Sequence, residues 1–311
     1  PTRALGVTVE GVPVEVVVAE PGSFGSELLR ATGSEEYVAA LGPLPPAGDE
    51  EAVYRALGIP FVPPELREAG FDGEPPPLVE VAQVRGDLHA HTTWSDGRAT
   101  VLEMGLAARE RGYDYLAICD HTVSVGAVQG LDADGVRRQG EEIAAANEEL
   151  APFRLLRGTE CDIRLDGSLD LPDELLAELD WVQASVHGGQ RGSREELTRR
   201  VLSALDSPYV SALSHPTGRI INRRPPNAVD LEAVFARLAE QGRAVEVNGL
   251  PPRLDLSGEH VRLAREAGVP IVVNTDAHST RGLENIELAV ATARRGGAMP
   301  EDVVNTRPLD E

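Results

Sequence analysis

From about residue 84 onwards, the chain alternates between short β-rich segments and longer helical segments, and this alternation constrains the fold more than any other feature. Runs of β-branched and other apolar residues predict seven strands, at 85–90, 113–119, 153–158, 180–186, 209–214, 244–248 and 270–274. Helical patterns separate most of them, at 100–111, 134–150, 194–205, 229–241, 258–267 and 283–294. Such an alternation is typical of a parallel α/β sheet covered by helices.

The number of strand–helix units favours one closed architecture. Seven units, with polar side chains at the strand ends, predict a closed, TIM-like α/β barrel, and the open doubly wound sheet is the alternative. No G-x-G-x-x-G motif follows the first strand, which argues against a dinucleotide-binding fold.

The first part of the chain has a different pattern. Valines alternate with other residues on both sides of Gly11, as in a β-hairpin, and helical stretches follow at 26–31 and 50–57. Prolines and Gly73 between residues 71 and 83 are typical of a linker. We therefore expect a small α+β module at 1–70, a Pro-rich linker at 71–83 and the barrel domain at 84–311.

Composition excludes several classes of protein. The 311 residues carry 29 Lys and Arg against 51 Asp and Glu, a net charge of −22 that argues against a broad nucleic-acid-binding surface. Two cysteines cannot form a disulfide framework, so we expect no disulfide partner and a cytoplasmic protein. No apolar run reaches the roughly 18–20 residues of a membrane span, and no membrane partner is expected.

Histidines and acids follow the predicted strands in a repeated way. His89 and His91 end the first strand as an H-x-H pair, and Asp276 and His278 follow the last as a D-x-H pair. Since residues i and i+2 of a strand point to the same side, each pair can hold one ion. Glu160 is expected just after the third strand. The complete set of candidate metal ligands is His89, His91, Asp96, His121, Glu160, His187, His215, Asp276 and His278.

This set predicts a metal centre at one rim of the barrel. The carboxyl ends of barrel strands converge, and so many imidazoles and carboxylates would be poorly tolerated there without cations. The mixture of nitrogen and oxygen ligands suits Zn, Mn or Fe. His260 lies near the start of a predicted helix and is expected at the surface.

Taken together, these motifs resemble the four-motif signature of the PHP (polymerase and histidinol phosphatase) superfamily. The resemblance covers about residues 84–300 and implies a distorted (β/α)7 barrel with two to three divalent ions per chain. It implies one ion held by His89, His91, Glu160 and Asp276, a second by Asp96, His121 and His278, and a third by Glu160, His187 and His215.

Within that superfamily, the chain most resembles the C-terminal half of bacterial family-X DNA polymerases. Residues 11–25 and 32–34 look like the late palm and early thumb, and 52–68 look like the segment leading into the PHP domain. The family's first two catalytic aspartates would lie before Pro1, and the third falls at Glu15. The segment after Ser34 is acidic rather than basic. We therefore interpret residues 1–70 as a palm/thumb-like remnant and expect no polymerase activity.

The resemblance implies a metal-dependent phosphoric ester hydrolase, in which a hydroxide bridging two ions attacks phosphorus. Arg219 and Arg253 are candidate phosphate clamps, because a guanidinium fork matches two phosphoryl oxygens. Asn248 is a candidate for orienting substrate or water. Asp120, beside His121, is a candidate for fixing the tautomer of an imidazole.

The expected substrate is a phosphate mono- or diester. It is either a nucleic-acid 3′ end, as for a 3′–5′ exonuclease or 3′-phosphatase, or a small molecule, as for a histidinol phosphatase. The negative charge favours small or terminal phosphates over long duplexes. The alternatives are a non-catalytic, metal-stabilised accessory module of a DNA polymerase and an amidohydrolase-like barrel acting on C–N bonds. The chain has no strand-end lysine of the kind that the latter class usually needs.

Overall fold

The structure, a computed structural model, describes residues 2–9, 11–68, 70–71, 73–126 and 128–310. It divides the chain into two compact units, Pro1–Pro77 and Leu78–Glu311. The boundary between them falls inside the predicted linker. The interpretation of the first unit as a polymerase-like remnant stays a prediction.

The first unit begins with the hairpin that the valine alternation predicts. Strands β1 (Thr2–Val7) and β2 (Pro13–Val18) pair in antiparallel fashion. Gly11, between them, has a φ of 83°, a left-handed conformation that glycine adopts without strain. Three helices follow, α1 (Phe24–Thr32), α2 (Glu35–Leu41) and α3 (Glu50–Leu57). The third has the predicted bounds, whereas α2 was not expected.

A buried arginine organises the packing of the first unit. Arg67 is 1% exposed, and its guanidinium forms an ion pair with Glu50. Its Nε donates to the carbonyl oxygen of Val62 at 2.9 Å. Its Cζ lies 5.6 Å from the ring centre of Tyr54 and 5.5 Å from that of Phe61, within cation–π range. These partners compensate the cost of burying the charge.

The second unit contains one sheet of seven parallel strands, whose spatial order follows the chain. The strands are β3 (Gly86–Ala90), β4 (Tyr115–Ile118), β5 (Arg154–Asp162), β6 (Trp181–Ser185), β7 (Ala212–Leu213), β8 (Ala244–Asn248) and β9 (Ile271–Asn274). The first and last strands approach each other. The His91 N–H donates to the Ala277 carbonyl oxygen at 2.8 Å, and the Leu88 N–H donates to Asn274 Oδ1 at 3.0 Å. The sheet is therefore a nearly closed barrel, and the predicted fold class is confirmed.

Helices surround this barrel at almost all of the predicted places. They are α4 (Val101–Glu110), α5 (Ala133–Leu150), α6 (Asp173–Leu176), α7 (Arg194–Leu205), α8 (Leu231–Gln241), α9 (Gly258–Glu266) and α10 (Ile286–Arg295). Only the one-turn α6 was not predicted. A capping box begins α7, since Ser193 Oγ accepts from the Glu196 N–H and the Glu196 carboxylate accepts from the Ser193 N–H. Among the described residues, no helix is both long and apolar enough to cross a membrane.

The two faces of each strand have different surroundings, and this decides which residues face the barrel interior. Val245 and Val247 of β8 belong to the large apolar cluster that includes Phe235 and Leu238 of α8. Because successive side chains of a strand point to opposite faces, Glu246 lies on the inner face. Asn248, two residues further on, lies on that face as well. The interior near the carboxyl ends is therefore polar.

Truncation of a core leucine tests this packing. Leu155 in β5 is 1% exposed, whereas Leu165 is 78% exposed. We expect Leu155→Ala to lower the free energy of unfolding by about 2–5 kcal/mol, because it removes buried apolar contacts and leaves a cavity. Leu165→Ala should change it by less than about 0.5 kcal/mol. Denaturant unfolding with chelator present measures both, and equal effects of the two variants would contradict this packing.

Candidate metal centre

All nine predicted metal ligands lie in one connected cluster at the carboxyl ends of the barrel strands. His89 lies in β3, and His91 follows it directly. His121, His187, His215, Asp276 and His278 lie in the segments after β4, β6, β7 and β9. One detail of the prediction is wrong. Glu160 lies inside β5, because this strand continues to Asp162 instead of ending at residue 158.

The first group of donor atoms surrounds the H-x-H pair. The Nε2 atoms of His89 and His91 are 3.2 Å apart. Asp276 Oδ1 is 3.1 Å from Nε2 of His91 and 3.8 Å from Nε2 of His89. Glu160 Oε2 is 3.7 Å from Nε2 of His91 and 3.5 Å from Nε2 of His89. All four side chains therefore direct a donor atom towards one another.

A second group forms around Asp96. Its Oδ2 is 3.3 Å from Nε2 of His278, and its Oδ1 is 3.6 Å from Nε2 of His121. The ring of His278 stacks on that of His91, with centroids 4.2 Å apart. Asp96, His91, His121 and His278 together offer donor atoms that all lie within 4.8 Å of one another.

A third group forms around Glu160. Its Oε1 is 2.7 Å from Nε2 of His215 and 3.3 Å from Nε2 of His187. Its Oε2 is 2.8 Å from Nδ1 of His121, whose other ring nitrogen faces Asp96. His121 therefore touches the second and third groups, and Glu160 touches the first and third.

The charges of these groups depend strongly on one another. Burial disfavours the ionised form of Glu160, but the neighbouring imidazoles, His187 foremost, hold its pKa well below the usual range. Burial also disfavours the charged form of His187, yet Glu160 and Asp162 raise its pKa to about 9. In the same way, Asp96 and Asp276 overcome partial burial and raise the pKa of His278 to about 9. In the metal-free protein, protonated imidazoles thus balance the buried carboxylates.

Several buried atoms of the cluster are suited to a cation. Among the described residues, five of its atoms are buried without a hydrogen-bond partner of suitable geometry: His91 Nδ1, His121 Nδ1, Glu160 Oε2, His187 Nε2 and His215 Nδ1. A buried polar atom without a partner is costly, and a bound cation would satisfy those whose lone pairs face it. Imidazole nitrogens with carboxylate oxygens are the donor set of Zn, Mn and Fe. The residues present therefore fit divalent metals.

Two carboxylates that the sequence analysis missed orient the imidazoles. Nδ1 of His89 lies 2.6 Å from Oε1 of Glu246, and Nδ1 of His187 lies 3.1 Å from Oδ1 of Asp162. A proton on each Nδ1 leaves Nε2 free for a metal. Strand alternation could have indicated both, since Asp162 lies two residues after Glu160 and Glu246 lies two residues before Asn248. Residues two apart in a strand point to the same face.

Asp120 has a different function from the predicted one. It accepts hydrogen bonds from the N–H and Oγ1 of Thr92, from Gln139 Nε2 and from Ser95 Oγ. These bonds fix the segment that precedes Asp96. Within the described part of the chain, its hydrogen bonds go to no imidazole, so the expectation that Asp120 fixes an imidazole tautomer is wrong.

The two candidate arginines have unequal surroundings. Arg219 donates from Nε to the Arg253 carbonyl oxygen at 2.8 Å, and its Nη2 donates to the Leu254 carbonyl oxygen. Its guanidinium is therefore engaged with the backbone of the neighbouring loop. Arg253 has a side chain 14% exposed, with Nε 3.3 Å from Asp276 Oδ2. Its Nε and Nη1 are buried without a hydrogen-bond partner in the described residues.

Asn248 and His260 complete the set of residues singled out from the sequence. Asn248 Nδ2 donates to Asp276 Oδ2 at 3.0 Å and to Glu246 Oε2 at 3.1 Å, and its Oδ1 accepts from the Leu250 N–H. Its amide is thus occupied by protein groups. His260 is half-buried on α9 beside Ser257, and it is not part of the cluster.

A nearly closed parallel barrel with imidazoles and carboxylates gathered at its carboxyl rim is the architecture of a metal-binding barrel protein. The chain is 32% identical over 201 residues to a probable phosphatase of Acetivibrio thermocellus, a match that covers 62% of this chain and 78% of that protein. The chain belongs to the PHP superfamily of metal-dependent phosphoesterases. No protein-family model matches it.

A longer relative shares still more of the sequence. The DNA polymerase/3'-5' exonuclease PolX of Bacillus subtilis is 40% identical over 266 residues, which are 84% of this chain and 47% of that protein. The chain thus spans about half the length of this relative. Because the match is longer than Leu78–Glu311, it extends into the first unit. The structure of a putative histidinol phosphatase from Listeria monocytogenes shares the barrel fold, with a TM-score of 0.50 at 16% identity over 64% of this chain and 97% of that one.

The pKa values of His187 and His278, both about 9, predict that metal binding releases protons. Both rings carry a proton at about pH 7.5, whereas an imidazole ligand must be neutral to bind a metal. Metal affinity should therefore rise with pH up to about 9 and fall as the pH is lowered. Zn²⁺ titration calorimetry in buffers of different ionisation enthalpy measures the released protons, and identical apparent enthalpies in all buffers would contradict the prediction.

Proposed function

We propose that this chain hydrolyses phosphate esters at the rim of its barrel, with two to three divalent ions of Zn, Mn or Fe. The observation that carries the proposal is the convergence of nine imidazoles and carboxylates from successive strands next to the buried guanidinium of Arg253. Metal ligands and a cationic group for phosphate thus lie side by side.

Each of the three groups of donor atoms is a candidate position for an ion. We assign His89, His91, Glu160 and Asp276 to the first position, Asp96, His121 and His278 to the second, and Glu160, His187 and His215 to the third. Divalent ions bound there would lower the pKa of water and offset the charge that develops on phosphoryl oxygens. The contacts of Asp162 with His187 and of Glu246 with His89 support this assignment, because they leave Nε2 of both rings directed inwards.

Arg253 is the residue that we assign to the substrate phosphate. Its Nε and Nη1 have no hydrogen-bond partner among the described residues, and its Nε lies 3.3 Å from Asp276 Oδ2. Guanidinium groups bind phosphoryl oxygens through two parallel hydrogen bonds. We assign Arg219 to holding the loop of Arg253 in place, because it donates to the carbonyl oxygens of Arg253 and Leu254.

The cysteines are not suited to act as nucleophiles. Cys119 and Cys161 are free and fully buried. Burial raises the pKa of Cys161 to about 12, and it raises the pKa of Cys119 as well. Neither side chain is a thiolate at neutral pH, so the proposed hydrolysis has no cysteine nucleophile, and divalent ions held at the rim would supply the activation of water.

We propose a phosphate at a nucleic-acid 3′ end as the substrate. The Bacillus relative, whose name includes a 3'-5' exonuclease, is 40% identical in a match that covers 84% of this chain, including part of the first unit. A small phosphate monoester is the second candidate, because the Acetivibrio relative is a probable phosphatase of which the chain covers 78%. We also propose that the first unit is a palm/thumb-like remnant without polymerase activity, and that the protein is cytoplasmic. The residue at the third catalytic position, Glu15, is exposed and paired with Arg3 at 3.0 Å.

Three substrates distinguish these possibilities. We expect chelator-treated protein to regain hydrolysis when Mn²⁺ or Zn²⁺ is added, measured on p-nitrophenyl phosphate, bis-p-nitrophenyl phosphate and 3′-labelled single-stranded DNA. Replacing His187 with alanine should reduce turnover to background, because it removes a ligand. His260→Ala is the matched control and should leave turnover unchanged, since His260 lies outside the cluster. Metal-loaded protein that hydrolyses none of the three would support a non-catalytic accessory module.

Arg253 has a separate test. Hydrogen bonds to charged groups contribute about 1.5–3 kcal/mol, so Arg253→Ala should lower kcat/KM by about 10- to 150-fold. Metal content should stay at the wild-type level. Arg199→Ala is the control, because Arg199 has a side chain 70% exposed on α7. An Arg253→Ala enzyme with wild-type kcat/KM would remove Arg253 from the proposed site.

A further inference from the structure

Among the described residues near the metal centre, Glu246 has the most heavily hydrogen-bonded side chain. It is fully buried in the middle of β8, on the inner face of the barrel. Each of its two carboxylate oxygens receives three hydrogen bonds. The donors to Oε1 are His89 Nδ1 at 2.6 Å, Gln183 Nε2 at 2.8 Å and Asn274 Nδ2 at 3.0 Å. The donors to Oε2 are Ser214 Oγ at 2.8 Å, the His215 N–H at 2.8 Å and Asn248 Nδ2 at 3.1 Å.

Three of these contacts lead to metal ligands. Glu246 holds the ring of His89 directly and the backbone of His215 directly. It holds Asp276 through Asn248, whose Nδ2 donates to Glu246 Oε2 and to Asp276 Oδ2. His89 and Asp276 belong to the first ion position, and His215 belongs to the third.

We propose that Glu246 is a positioning residue that orients ligands of two ion positions at once and thereby couples their occupancy. This inference rests on the proposed function, because it needs the ligand groups to hold metals. An ion at the first position would fix His89 and Asp276, and through Glu246 it would also fix the backbone of His215. An ion at the third position would then bind to a ligand whose orientation is already established, at a smaller entropic cost.

The second ion position is independent of this carboxylate. Within the described part of the chain, Asp96, His121 and His278 make no hydrogen bond or ion pair with Glu246. Nδ1 of His278 lies instead 2.8 Å from the Asp276 carbonyl oxygen, and Asp96 is exposed enough to contact solvent. The proposal therefore predicts a selective effect and not a general loss of the metal centre.

A metal titration of the full chain tests this selectivity. Zn²⁺ is titrated against a competing chelator, and Co²⁺ is followed by its visible absorption, which reports ligand geometry. We expect Glu246→Gln to weaken the ions of the first and third positions by about 10- to 100-fold each, the usual effect of losing an orienting carboxylate. The remaining position should keep its wild-type affinity, and the two weakened ions should bind without cooperativity.

Three control variants separate positioning from fold stability. Glu240→Gln changes a carboxylate whose side chain is 75% exposed on α8 and should bind all ions normally. Asn305→Ala removes a buried amide that donates to the Gly86 and Val273 carbonyl oxygens, so it should lower the unfolding midpoint without changing metal affinity. Asn248→Ala removes the bridge from Glu246 to Asp276 and the acceptor of the Leu250 N–H, but it leaves the contacts of Glu246 with His89 and His215 in place, so it should weaken the first position alone. If Glu246→Gln does not fold, Asn248→Ala alone tests the link between Glu246 and the first position.

The outcomes are distinguishable. A Glu246→Gln protein that binds every ion with wild-type affinity overturns the inference and leaves the proposed function intact. Equal weakening of all positions, or the same loss in Asn305→Ala, shows that Glu246 supports only the fold and also overturns it. Wild-type protein that binds no divalent ion contradicts the proposed function itself.

Discussion

Crowding of imidazoles and carboxylates at one rim of the barrel is the constraint on which the rest of the structure depends. Seven parallel strands bring their carboxyl ends together, so that side chains far apart in sequence lie within 4 Å of one another. Buried charges at such distances are costly unless they are paired. The raised pKa values of His187 and His278 and the lowered pKa of Glu160 show that protons balance the charge in the metal-free protein. Divalent cations compete with those protons for the same atoms.

This constraint extends into the barrel below the rim. The inner face of β8 is apolar at Ala244 and polar at Glu246 and Asn248, towards the carboxyl end. In the low dielectric of the interior, a fully satisfied polar network is rigid, whereas a partly satisfied one is costly. Glu246 meets that condition, because each of its carboxylate oxygens accepts from three donors. Burial disfavours its ionised form, but the charge and hydrogen bond of His89 overcome burial and lower the pKa of Glu246 to about 2. The network thus links the orientations of His89, Asp276 and the backbone of His215 to one another.

The sequence predicts the barrel well, and it predicts which imidazoles and carboxylates converge at the rim, because both follow from short-range patterns. Strand β8 and helices α3 and α7 have the predicted bounds, and the i, i+2 spacing of His89 and His91 reports directly which side of a strand they share. The roles of Asp120 and Arg219 depend on the paths of loops that no local pattern encodes. Arg219 reaches the carbonyl oxygens of a segment more than thirty residues away in sequence, so its partner is defined only by the folded structure. Asp162 and Glu246 share the alternation pattern of the ligands, but their imidazole partners, His187 and His89, lie in or after other strands and are defined only by the folded structure.

The central claim is that the nine side chains at the rim bind divalent cations together. X-ray diffraction from crystals of the protein grown with Zn²⁺ or Mn²⁺, recorded on both sides of the metal absorption edge, tests it most directly. The account predicts anomalous peaks between His89, Glu160 and Asp276 and in the adjoining groups around Asp96 and His215. Anomalous peaks located only on the outer surface of the molecule, with none at the rim, would contradict it.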